Sequence, residues 1–218
     1  MRIDLLKPFE KIPYFTIAGF KQVLNASESD TQRVRAMLSR WVKMGHIIRL
    51  KNGIYMTRRF FELHQNQASF TPAVSAIILP QSYVSLEYVL QRAGVLSEVT
   101  YTTTAVTSKN TKGIKNPLGT FIYRHIKPPL YIGFNPEFFF GLIFNQATVA
   151  KALFDFFYLR PLPRSLQTHK INLAGELRLN LGELSTDLKD EFEHYIEISD
   201  SPKMQFIHAN LRRTIWQP

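Results

Sequence analysis

Between Asp30 and Thr57 the chain encodes a helix followed directly by a hairpin, and the charge on that helix restricts what the pair can be. Val34, Leu38, Trp41 and Val42 recur at helical spacing, with Met37 beside them, so one stripe of the helix is apolar. At 100° per residue Arg33, Arg35, Ser39, Arg40 and Lys43 fall on the opposite arc. That arc carries four bases and no acid after Asp30, whereas a merely solvated helix mixes signs. Asp30 is the expected N-cap and Gly45 the expected stop. Beyond Gly45, Ile48, Leu50, Ile54 and Met56 alternate with Arg49, Lys51, Tyr55 and Thr57 about a Lys51-Asn52-Gly53 tip, and Asn-Gly is a strong hairpin signal. Upstream, Thr16 caps a segment with Ile17, Phe20, Val23 and Leu24, which reads as the supporting helix. A supporting helix, a basic helix and a wing together predict a winged helix-turn-helix that binds double-stranded DNA. Thr31 and Gln32 are expected at base edges, with Arg33, Arg35, Ser39, Arg40 and Lys43 facing DNA and Arg49, Lys51 and Asn52 on the wing.

The charge distribution agrees with that assignment. Residues 1–67 hold 12 Lys/Arg against 5 Asp/Glu, a net +7 out of the whole chain's +10, so the basic excess sits with the predicted reader. A second concentration, Lys109, Lys112, Lys115, Arg124 and Lys127, has no acid between Glu98 and Glu137 and is a candidate second surface for an anionic ligand. The opposite sign gathers at Glu183, Asp187, Asp190, Glu191, Glu193 and Glu197.

At 218 residues the chain can form one large domain or two small ones, and 45% hydrophobic residues suffice for real cores. The absence of cysteine excludes disulfides and thiolate metal ligands. The first residues do not read as a signal peptide, and no run approaches the roughly 18 apolar residues of a membrane span. A cytoplasmic protein with no membrane partner is expected.

The predicted organisation is α/β (α+β): a winged helix-turn-helix over residues 1–67, led by a helix over Arg2 to Lys11, then a larger mixed α/β domain over 68–218 with a small sheet and several helices. The polar stretch His64 to Ser69 is the expected joint. Helices are expected from Thr71-Pro72 to Leu79, from Ser85 to Ala93, over Gln146 to Leu159, and over Leu173 to Leu181, Thr186 to Ile198 and Lys203 to Trp216. Strands are expected at Thr100 to Thr107, Leu118 to Ile126 and Leu130 to Phe134, with a turn-rich basic loop, SKNTKGIKNP, between the first two.

Signatures of catalysis are missing. The sequence has no GxGxxG, Walker loop, HExxH or GxSxG. His46, His64, His125, His169, His194 and His208 form no i, i+3 or i+4 pair, so no metal site and no cofactor is expected. Lys151 and Asp155 stand at i, i+4 in one helix and read as a surface or helix-stabilising pair. A nuclease would need acids gathered about a metal, and the predicted strands at 100–107 and 118–126 contain none, which disfavours an enzyme.

The order of segments resembles a known family. The wing's Gly53-Ile54-Tyr55 is followed by PAVSAIILPQSYVSLEYVLQRAGV, with Tyr83-Val84-Ser85 and Leu86, then by a β-rich section. QATVAKALFDFFYL comes next, with Ala147, Lys151, Ala152, Leu153 and Asp155 before Tyr158. This succession resembles the AbiEi-type antitoxins of bacterial type IV toxin-antitoxin systems over most of residues 15–160. The chain departs from the family in having Ala150 where a Glu often precedes the Lys-Ala-Leu. The resemblance implies a regulator that binds its own promoter through the winged helix, while the second domain counteracts a nucleotidyltransferase-type toxin without requiring a stable complex with it. The alternative is a two-domain regulator whose larger domain senses a ligand or mediates oligomerisation, and a DNA-processing enzyme is a third class.

Overall fold

Thr16 ends a two-residue strand, β1 (Phe15–Thr16), and its hydroxyl accepts from Gly19 N at 3.0 Å, so one residue closes the strand and caps helix α1 (Ile17–Val23). A short 3-10 turn, Glu28–Asp30, leads into α2 (Thr31–Lys43). Gly45, at φ +79°, ends α2, with His46 N returning to Trp41 O, a glycine-closed C-terminus. Strands β2 (Ile47–Lys51) and β3 (Ile54–Thr57) form the hairpin, and β1 joins them in a three-stranded antiparallel sheet of order β1-β3-β2. Phe9, Phe15, Phe20 and Trp41 interlock beneath it, with Phe20 meeting Trp41 edge-on at 5.5 Å. Helices α3 (Arg58–His64) and α4 (Phe70–Ile78) follow.

This computed structural model describes residues 3–98, 100–163, 166 and 171–216; Arg2 and His169 lie outside the described residues. The chain is mixed α/β and separates into two compact units. The first comprises Met1–Pro80 together with the hairpin tips Lys115–Thr120 and Phe138–Phe144, so it runs past the expected joint at His64 to Ser69. Helix α4 explains the extension: Phe70, Pro72 and every residue from Ala73 to Ile78 are buried, so it has no solvent face on which a linker would end.

The second unit is organised around α6 (Val149–Leu159), whose residues from Ala150 to Phe157 are all buried. It packs with α5 (Glu87–Arg92), α8 (Thr186–Ser199) and α9 (Pro202–Thr214), while α7 is a single turn, Leu173–Glu176. A six-stranded mixed sheet has the order β6-β7-β5-β4-β9-β8. Its strands are β4 (Ser82–Val84), β5 (Thr102–Thr107), β6 (Lys112–Asn116), β7 (Gly119–His125), β8 (Phe134–Phe139) and β9 (Leu142–Ala147). Strand β4 runs antiparallel to β5 and parallel to β9.

Several expected elements differ. The N-terminal segment is a 3-10 helix, Ile3–Phe9, rather than an α-helix to Lys11. The expected strand at Leu130 to Phe134 is instead a 3-10 turn, Pro128–Leu130, followed by irregular chain, because two prolines set the backbone there. Half of the basic loop is strand β6, paired along β7. The helix expected to open at Ser85 begins at Glu87, since Ser82–Val84 is taken into the sheet, and the helix expected from Leu173 to Leu181 stops at Glu176.

Candidate nucleic-acid interface

Helix α2 turns its apolar stripe inward as its period requires: Val34, Leu38 and Trp41 are buried and Met37 and Val42 partly so. Gln32, Arg33, Arg35, Ser39, Arg40 and Lys43 are exposed on the other arc. That arc divides over two hollows. Arg35 and Ser39 line one of about 240 Å³ with Arg49 and Asn52 of the hairpin, floored by Ile17, Val42 and Tyr55. Arg33 and Arg40 line another, of about 430 Å³, with Leu5, Leu24, Val34, Met37 and the carboxylate-bearing Asp30. Two α2 residues and two hairpin residues thus converge, while the other two arginines occupy the opposite shoulder of the helix.

Three expected roles change. Asp30 does not cap α2 with its side chain; the carboxylate accepts from Ser27 N at 3.0 Å and Ser27 Oγ at 2.9 Å, and these bonds hold it below the usual carboxylate range. Thr31, expected at a base edge, is half-buried and its hydroxyl accepts from Lys21 Nζ of α1 at 3.0 Å. Lys51, expected on phosphate, donates from Nζ to the carbonyl of Ile78 at 2.7 Å.

The last change has a backbone cause. Arg49 pairs with Tyr55 and Lys51 with Ile54, so the ladder slips by one residue at Leu50. Such a bulge breaks the period of two and re-aims the side chains beyond it. Lys51, beyond the bulge, reaches Ile78, whereas Tyr55, expected outside, lies on the regular side of it and is buried because β3 is the central strand, where its ring stacks on Phe15 at 5.7 Å. Thr57 is also buried, where its hydroxyl caps α3 by accepting from Phe60 N at 3.1 Å. The carbonyl of Leu50 accepts from Asn116 Nδ2 at 3.0 Å, and that of Gly53 from Ile17 N at 3.2 Å, so the hairpin is held on both strands. Arg49 and Asn52 remain exposed.

Of the second basic group, Lys112 and Lys115 share strand β6. Lys109, Lys112, Lys115 and Lys127 are exposed, but Lys115 belongs to the first unit and the others to the second. Arg124 is half-buried and lines a hollow of about 470 Å³ in the second unit with Arg160, Glu87, Glu98 and Glu176.

The pair Lys151 and Asp155 is not on the surface. Both side chains are 0% exposed, and they form an ion pair inside the second unit. Asp155 Oδ2 also accepts from Tyr83 OH at 3.0 Å and Ser85 Oγ at 2.7 Å. The ammonium sits over the rings of Phe154, Tyr195 and Tyr83 at 4.9, 5.4 and 5.6 Å. Burial pushes the Asp155 carboxyl up and the Lys151 ammonium down from their ordinary values, and the ion pair opposes both shifts. Tyr83 is raised well above the ordinary phenol, first by desolvation and then by the Asp155 charge. The signal for this cluster was the uninterrupted apolar character of α6 around Lys151 and Asp155, which leaves no solvent face for a surface pair.

Among the described residues no three His, Asp or Glu gather to hold a metal, and no helix is long and apolar enough to cross a membrane. No family model matches the chain, and no curated protein matches it.

Proposed function

We propose that this chain is a winged helix-turn-helix transcriptional regulator that binds double-stranded DNA at its own promoter. The observation that carries the reading is the convergence of Arg35, Ser39, Arg49 and Asn52 on one hollow between a basic helix and a tethered hairpin. In this reading α2 enters the major groove with Gln32, Arg35 and Ser39 toward base edges, while Lys43 and Arg49 take phosphates and Asn52 lies at the wing tip. The element order and the β1-β3-β2 sheet support it, since they brace a helix and a wing side by side.

The test is a fluorescence-anisotropy titration of the full chain on a duplex from upstream of its gene, run at several salt concentrations against a scrambled duplex. Arg49→Ala is expected to flatten the log K versus log salt slope by about 0.9. Arg35→Ala is expected to cost about 1–3 kcal/mol of preference over the scrambled sequence. A wild-type protein with no preference, or variants indistinguishable from it, refutes the reading.

The resemblance to AbiEi-type antitoxins supports the further step that the protein is a cytoplasmic, cofactor-free antitoxin, without enzymatic activity, that opposes a nucleotidyltransferase-type toxin. Co-expression with a nucleotidyltransferase-like gene adjacent to its own tests this; growth arrest that the chain does not relieve sinks it. A specific observation favours a ligand-sensing second unit as the alternative. The hollow bearing Arg124, Arg160, Glu87, Glu98 and Glu176 is bordered by Leu86, held at φ 62° and ψ −142°, a conformation that costs a non-glycine residue about 1–3 kcal/mol.

A further inference from the structure

We infer that the Lys115–Thr120 hairpin tip is a working part of the DNA reader, with Asn116 positioning the wing and Lys115 adding a phosphate contact. The inference rests on the DNA-binding reading above. It begins with the bulge at Leu50, which leaves that residue outside the β2–β3 register at the point where the wing carries Arg49 and Asn52. Leu50 is buried, and a buried carbonyl displaced from its ladder needs another donor. Asn116 provides it from the far end of β6, at 3.0 Å.

The same amide is used at its other end, where Oδ1 accepts from Leu118 N at 2.8 Å and holds the two-residue turn Pro117-Leu118 between β6 and β7. One side chain therefore shapes the turn and fixes the wing strand to it. Adjacent to Asn116 is Lys115, exposed, in a stretch with no acid from Glu98 to Glu137 to neutralise it. Although strand neighbours point to opposite faces, Lys115 is exposed in the same compact unit as Arg49, next to the residue bonded to the wing strand, so its charge adds to the positive field of that end of the unit. Lys51 has its ammonium on the carbonyl of Ile78, and Lys115 adds an exposed ammonium to the same unit.

The experiment uses the full chain and the same labelled duplex, comparing wild type with Lys115→Gln, Asn116→Ala and Arg49→Ala across salt. Lys115→Gln is expected to lower the salt slope by about 0.9 and to weaken binding about eightfold at 0.1 M salt, the value of one phosphate contact. Asn116→Ala keeps every charge, so a lowered slope in that variant reports mispositioning and not lost net charge. Wild-type slope in Lys115→Gln, with Arg49→Ala reduced, overturns the inference and leaves the DNA-binding reading standing. Wild-type binding in Asn116→Ala overturns the positioning role. If wild type does not bind duplex and Arg49→Ala is no different, the underlying reading itself has failed. Should Asn116→Ala not fold, judged by its thermal transition, Lys115→Gln at an exposed position still decides the contact.

Discussion

Replacing Asp155 by Ala measures whether the Lys151 ion pair is the buried keystone of the second unit or a surface pair of the kind its i, i+4 spacing suggests. An exposed pair at that spacing contributes about 0.3–0.5 kcal/mol. At 0% exposure the account differs. Asp155→Ala strands the Lys151 ammonium among the rings of Phe154, Tyr195 and Tyr83 and removes the acceptor shared by Tyr83 OH and Ser85 Oγ. Losing one partner of a buried pair costs about 3–5 kcal/mol, and each stranded hydroxyl adds to it with less than full additivity. Urea unfolding followed by tryptophan fluorescence provides the assay. Trp216 is buried in the core of the second unit, and its indole donates to Leu181 O at 3.0 Å, so in a Trp41→Phe background it reports on this core alone. Lys151→Met supplies a sign. It leaves a buried carboxylate whose folded pKa is raised above its ordinary 3.8, so the folded state takes up a proton more readily than the unfolded chain. The loss in Lys151→Met is therefore greatest at neutral pH and shrinks as pH falls toward about 4. A cost below about 1 kcal/mol for Asp155→Ala, with no pH dependence in Lys151→Met, refutes the argument.

Two further outcomes follow from single contacts. Gly133→Ala sets a Cβ 2.2 Å from the Tyr195 hydroxyl and demands φ +77° of a non-glycine residue, so about 1–3 kcal/mol of destabilisation is expected, read as a lowered melting temperature against Gly141→Ala, where the same left-handed φ meets open space. His208, whose pKa burial lowers from 6.5, binds a proton less readily folded than unfolded; stability is therefore full above that value and declines as pH falls through it, and a His208→Gln protein is expected to lose this slope in denaturant midpoints taken from pH 7 to 5.

What the sequence made legible was whatever its local period encodes. The inward stripe of α2, the exposed Gln32, Arg35, Ser39 and Lys43, the Gly45 stop and the position of the hairpin all follow from spacing within some 25 residues. Alternation failed at Leu50, because a bulge is invisible to a period of two until the partner of its free carbonyl is known, and that partner is Asn116, 66 residues further on. The same limit hid the neighbours of Lys151 and Asp155, since Tyr83 and Ser85 lie about 70 residues upstream and enter only when β4 pairs with β9 in front of α6. Strand β6 was concealed differently: its glycine, asparagine and two lysines are the chemistry of a loop, and equally that of an edge strand protected by charge.

These failures share a direction. Local period specified the exposed groups of α2 and the hairpin, and long-range bonds specified how rigidly those groups are held. Asn52 and Arg49 sit on a hairpin whose two ends are fixed by Ile17 and Asn116, so in the proposed DNA-binding reading it does not have to be ordered on meeting a phosphate. Pre-organisation of that kind would lower the entropic cost of such binding without adding a contact, and the bond from Lys51 to the carbonyl of Ile78 adds to it. In the proposed reading the lysine contributes by fixing the strand that carries Arg49, while its ammonium, bonded to a neutral carbonyl, keeps its charge.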